Sequence, residues 1–118
     1  AGDSETAIRL LNEVLEQPRK ANQQALVWEV LGACLARDEN WEEAEKAFEK
    51  ALELWKGERI QSLIALGEIA ERTGDRKKSI GFYRRAAAVD KPERALAEKR
   101  LAEFEGGGGA ERMNNEAR

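Results

Sequence analysis

The sequence predicts an all-α solenoid, a row of helix pairs stacked side by side, on three observations. Ala, Glu, Lys, Arg and Leu dominate the 118 residues and Pro occurs only twice. Those residue types lose least on entering a helix. Apolar residues recur in steps of three and four, as at Trp41, Ala44, Phe48, Ala51, Leu52 and Trp55, which is one helical stripe. The chain also repeats itself at an offset of 35 residues: Leu31-Gly32 recurs as Leu66-Gly67, Phe48 as Tyr83, and Ala51 as Ala86. A period in this range marks an array of helix-turn-helix units.

Six helices follow, over about 4–17, 23–37, 41–55, 58–73, 76–89 and 92–105. Gly2-Asp3 followed by Ala7, Leu11 and Val14 reads as the turn and second helix (3–21) of a truncated repeat. Full repeats are expected over 25–58 and 60–93. Ala44, Ala51 and Gly32 are small where paired helices approach closely. Asp38-Glu39-Asn40 and Thr73-Gly74-Asp75 break the pairs. Gly74 suits a left-handed helix end, and Asp75 suits the cap of the next helix. Pro92 fits a first helical turn. The stretch 92–105, with Ala97, Leu101 and Phe104 on one side, is expected to cap the solenoid. Residues 1–105 are thus read as one helical domain. Four glycines, 106–109, read as a flexible linker, and 110–118 as a short flexible tail or tethered peptide.

Trp28, Leu31 and Gly32, followed by Ala44, Phe48 and Ala51, give the first repeat a pattern that resembles the tetratricopeptide repeat. Leu35 stands where that pattern prefers Tyr. The second repeat departs further, with Leu63, Ala70 and Ser79 in place of Trp, Tyr and the first small Ala. The resemblance covers residues 25–93 and implies a right-handed superhelix of about three helix pairs. Its concave face would be lined mainly by the first helix of each pair.

Several functions are excluded or disfavoured. The formal net charge is −3 with both signs interleaved, whereas a nucleic-acid binder needs a clustered basic face. No apolar run approaches a membrane span. There is no His, so the commonest general base and metal ligand is missing. Neither metal-ligand spacing nor a phosphate-binding glycine loop is present. No enzyme, cofactor or metal site is expected. Cys34, within Gly32-Ala33-Cys34-Leu35, reads as a small hydrophobe. No secretory signal pattern is present, and the expected location is the cytoplasm. Trp28 and Trp41 read as packing residues; Trp55 reads as packed between repeats or half exposed.

The resemblance implies a module that binds another protein or a peptide in its concave groove. By its geometry the groove residues would be Leu26, Glu29, Ala33 and Arg37 in the first repeat, and Gln61, Ile64, Glu68, Glu71 and Arg72 in the second. Glu29, Glu68 and Glu71 would make this groove acidic, suited to a ligand with an apolar anchor and a basic residue. The Lys/Asn/Arg clamp by which one subfamily holds acidic chaperone C-termini is not reproduced, since Glu29, Ala33, Ile64 and Ala65 occupy its places. In the tail, Arg112, Met113 and Arg118 could form a tethered ligand docking on the helices of this chain or a neighbour. The alternatives are a homodimer or larger self-assembly through exposed solenoid ends, and an engineered fusion of repeat domain and tethered peptide.

Overall fold

A computed structural model describes residues 2–17 and 19–117, with side chains described for 5–17 and 19–105. Six helices follow in order: α1 (Gly2–Leu15), α2 (Ala21–Arg37), α3 (Trp41–Leu54), α4 (Ile60–Arg72), α5 (Arg76–Ala87) and α6 (Arg94–Ala117). No strand occurs among the described residues. Each helix packs on the next in sequence, and the pairs α2/α3 and α4/α5 pack most extensively. In addition α2 touches α4, and α4 touches α6. The backbones of α3 and α5 do not come together among the described residues; a Lys78–Glu45 ion pair of 2.6 Å bridges them instead. The first helices of successive pairs therefore adjoin in an inner row, while α3 and α5 stand apart. That asymmetry curves a solenoid.

The apolar stripes meet in two clusters. The first joins Leu31 and Leu35 of α2, Ala44, Ala47 and Phe48 of α3, and Leu66 and Ile69 of α4. The second joins Ile60, Leu63 and Ile64 of α4, Tyr83 and Ala86 of α5, and Ala97 of α6. α4 thus supplies both, which couples one repeat to the next. Trp28 and Trp41 are partly buried against the first cluster. Trp55 is also partly buried, and its ring lies under the Arg59 guanidinium at 4.6 Å.

Within each repeat an aromatic ring lies directly on a glycine. A Cβ on Gly32 would come within 2.9 Å of the Phe48 ring, and one on Gly67 within 2.7 Å of the Tyr83 ring. Each glycine is buried within its helix, so its lack of a side chain is what lets the helices approach. Ser79 stands where the family pattern has Ala; its hydroxyl is buried and donates to the Gly67 carbonyl at 2.8 Å. The hydroxyl is thereby satisfied at the closest point of the pair.

The turns follow the expected chemistry with one substitution. Gly74 has φ +82°, and the Asp75 carboxylate accepts from the Lys78 N–H at 3.0 Å. At the equivalent place in the first repeat Glu39 takes φ 60° without glycine's freedom, a conformation that strains an L-residue. The last helix differs from expectation at both ends. Lys91–Glu93 form a tight lead-in turn, with Ala95 N–H bonding Pro92 O at 3.2 Å, and α6 starts at Arg94. Its backbone runs helical to Ala117, through the expected linker 106–109. Glycine weakens a helix but, unlike proline, keeps the N–H its ladder needs. The side chains of 106–118 lie outside the described residues, so the linker and tail stand as proposals.

These contacts separate two glycines by their surroundings. Gly67→Ala should lower stability by about 1–2 kcal/mol, because overpacking against Tyr83 outweighs the gain in helix propensity. Gly81, inside α5, has nothing within 4 Å of its would-be Cβ. Gly81→Ala should raise stability by roughly 0.5–1 kcal/mol. Urea unfolding of both variants checks this, and a similar response at the two sites would contradict the packing described.

Candidate functional site

The inner row of first helices carries a registered open surface. On α2 the residues Leu26, Val30, Ala33 and Arg37 are exposed in steps of three and four, with Val30 at 50%. On α4 the equivalent positions are Gln61, Ala65, Glu68 and Arg72, of which Ala65 is half-buried and the others exposed. On α6 the stripe continues as Leu96, Arg100 and Glu103. Two clefts open along it. One of about 330 Å³ is lined by Ala33, Ala36, Arg37, Trp41, Phe48, Ala65, Glu68, Ile69 and Arg72. The other, of about 290 Å³, is lined by Glu68, Glu71, Arg72 and Arg100. Glu68 and Arg72 border both, so the clefts adjoin along α4 and together make a channel-like surface of α2, α4 and α6.

The structure brings Ala33, Arg37, Glu68, Glu71 and Arg72 together on this channel, and leaves Leu26 and Gln61 exposed at the other end of their helices. It moves two expected residues off the groove. Ile64 is buried in the second core cluster. Glu29 faces the next repeat: it accepts two hydrogen bonds from Arg59, both 2.9 Å, and one from the Ser62 hydroxyl at 2.8 Å. This bond to Glu29 holds the Arg59 proton more tightly than usual. Glu29 and Ile64 are 35 residues apart, so both departures have one cause. Each lies three residues after a groove position, and the helix turns the fourth residue, Val30 or Ala65, toward the groove instead. Arg112, Met113 and Arg118 lie outside the described side chains.

Charge in the channel also differs from the acidic expectation. Glu29 is consumed by Arg59. Glu71 accepts from the Tyr83 hydroxyl. Glu68 faces Arg100 at 3.9 Å, and Arg100 also meets Glu103 at 3.5 Å. Arg100 Nε is buried with no hydrogen-bond partner among the described residues. Arg37 and Arg72 have no ion-pair partner among the described residues. The charges along the channel therefore balance, Arg37, Arg72 and Arg100 against Glu68, Glu71 and Glu103. Sequence reasoning missed Val30, Leu96 and Arg100; a 35-residue offset relates Val30 and Arg100 to Ala65, and Leu96 to Gln61, and is the signal that places them.

Among the described residues no group of His, Cys, Asp and Glu is arranged to hold a metal ion. Cys34 is a free, partly buried thiol. No described helix is long and apolar enough to cross a membrane. What decides the family is the repeat itself: the tetratricopeptide-repeat family model matches residues 23–91, more than half of the chain. The chain belongs to the tetratricopeptide-repeat family. No curated protein matches it. Tetratricopeptide repeats are a non-catalytic interaction fold that generally mediates contacts between proteins, and the helix pairs, the inner row and the exposed groove of this repeat domain agree with that role.

Tyr83 offers a titration that reads the packing directly. It is the one tyrosine of the chain and is fully buried. Burial, and then the hydrogen bond to Glu71, push its hydroxyl well above the ordinary value of 10.0. A group whose folded pKa is raised contributes stability that is fully present below its unfolded pKa. That contribution is lost as pH rises past about 10, where only the unfolded chain releases the proton. Lys78, bonded to Glu45, is shifted upward as well and acts in the same direction. Tyrosinate absorbance should therefore stay low beyond pH 10 and rise together with loss of helical signal. Tyr83→Phe should soften the alkaline loss of stability. A simple titration near pH 10 in the folded protein would contradict the buried placement.

Proposed function

We propose that this tetratricopeptide-repeat domain binds a peptide segment of a partner protein along the channel of α2, α4 and α6. The observation that carries this reading is the registered stripe on the alternate helices α2, α4 and α6, with two adjoining clefts along it. The cleft between α2 and α4 is lined by the small side chains of Ala33, Ala36 and Ala65 and by Trp41 and Phe48 among others. Sites of this kind combine apolar contact with a few polar groups that fix orientation. Self-assembly is the second reading. It is favoured by Leu10 on α1, 51% exposed, and separately by a cleft of α1, α2 and α3 lined by Ile8, Trp28, Leu31 and Leu35 among others. Mass measured against concentration separates a second copy from a peptide ligand.

A steric block tests the groove. Peptides are first selected on the immobilised domain from a randomised display library. Ala33→Tyr places a neutral bulk on an exposed position and should leave the circular dichroism spectrum unchanged. It should weaken the selected peptides by about tenfold or more, about 1.4 kcal/mol. Affinities untouched by Ala33→Tyr would move the binding surface elsewhere.

A further inference from the structure

We infer that two copies of this chain pair through the edge formed by α1 and α2, in a closed dimer related by a two-fold axis. The inference rests on the self-assembly reading above and names its face and symmetry. The repeat locates the edge. In α4, Ser62, Ala65 and Ile69 lie on the side toward α2: Ser62 bonds Glu29, and the other two line the cleft between the helices. Their counterparts 35 residues on, Ala97, Arg100 and Phe104, turn α6 toward α4 and its cluster. Their counterparts 35 residues earlier are Val27, Val30 and Cys34 of α2. Among the described residues no first helix packs on that side of α2, and Val30 is 50% exposed.

α1 is open on the matching side. Ala44, Ala47 and Ala51 of α3 are buried. Ala7, Leu10 and Val14 keep the same spacing 37 residues earlier and are half-buried or exposed, while Ile8, Leu11 and Leu15 turn into the first cluster. By the repeat, Ala7, Leu10, Val14, Val27 and Val30 thus form one apolar edge. Among the described residues, Leu10, Leu26 and Val30 of these two helices are large hydrophobic residues left exposed, and the one other such residue is Leu96. A contiguous apolar patch of this kind marks an interaction surface.

The other end of the stack does not fit this edge. Leu63, Gly67 and Ala70 of α4 are buried, whereas their counterparts on α6 are Glu98, Ala102 and Glu105, all exposed. Head-to-tail stacking would set two carboxylates against Leu10 and Val14, and burying a charge without a partner is costly. A second copy of the same edge meets it apolar on apolar, and a two-fold axis closes the pair. α1 and α2 have 14 and 17 residues. At 1.5 Å per residue they run roughly 20–25 Å, and two helices about 10 Å across bring roughly 400–500 Å² into contact. That is the low end for specific association. The dimer is therefore reversible, with a Kd of roughly tens to hundreds of micromolar.

Sedimentation equilibrium of the full chain, from about 5 μM to about 1 mM, brackets that range. The mass should rise with concentration and level at twice the 13.2 kDa of the chain. Leu10→Lys should weaken the dimer by about tenfold or more. Leu10→Lys/Val30→Lys should hold the mass at one chain, with circular dichroism unchanged because both side chains are half exposed. Ala102→Arg on α6 should leave the dimer as it is. A mass that climbs past two chains, a dimer lost in Ala102→Arg, or one kept in Leu10→Lys/Val30→Lys would each overturn this face and symmetry and leave self-assembly standing. A chain that stays monomeric throughout would overturn both, and would leave the edge to a helix of another protein.

Discussion

Gly32 and Gly67 each let an aromatic ring from the following helix lie against bare backbone, and the rest of the structure is built around that approach. The ring fixes the spacing within a pair. Because Phe48 and Tyr83 occupy the same place in successive repeats, both pairs take the same spacing and can stack in register. Ala44 and Ala51, fully buried in α3, and Ala86 in α5 keep the same helices close above and below the ring. A packed interior has little room to absorb an added methyl group at such a point.

Stacking in register then produces the groove. α4 serves both core clusters, so its remaining face lies between α2 and α6. Inter-repeat bonds from Glu29 to Arg59 and from Lys78 to Glu45 fasten the two sides of the stack. The Glu29 group is the better satisfied, since its carboxylate takes the Arg59 fork and the Ser62 hydroxyl together. Of the residues left over, Ala33 and Arg37 on α2 and Ala65, Glu68 and Arg72 on α4 line the open channel. The interaction surface is thus what remains after the fold has taken the side chains it needs.

Most of the fold was legible in the sequence because its period is long and its spacing residues are distinctive. The Leu-Gly pairs, Phe48 with Tyr83, and the breaks at Asn40 and Asp75 sufficed to place α2 to α5. The groove was legible only in part. A helix advances about 100° per residue, so three steps fall about 60° short of a full turn and four pass it by about 40°. Sequence spacing alone accepts Glu29 and Ile64 as readily as Val30 and Ala65. Packing decides between them, and it turns the first two toward the next repeat. The charge balance of the groove was hidden for a similar reason. Glutamates counted as free in the sequence are taken up by Arg59, Tyr83 and Arg100, residues 12 to 32 positions away.

The account holds that the inner row of α2, α4 and α6 is the binding surface. Backbone amide chemical shifts, followed while a selected peptide is titrated into the isotope-labelled chain, measure this most directly. Shifts concentrated on Val30 to Arg37, Ala65 to Arg72 and Leu96 to Glu103 are the predicted result. Shifts concentrated on α1, or on the outer helices α3 and α5, would contradict it.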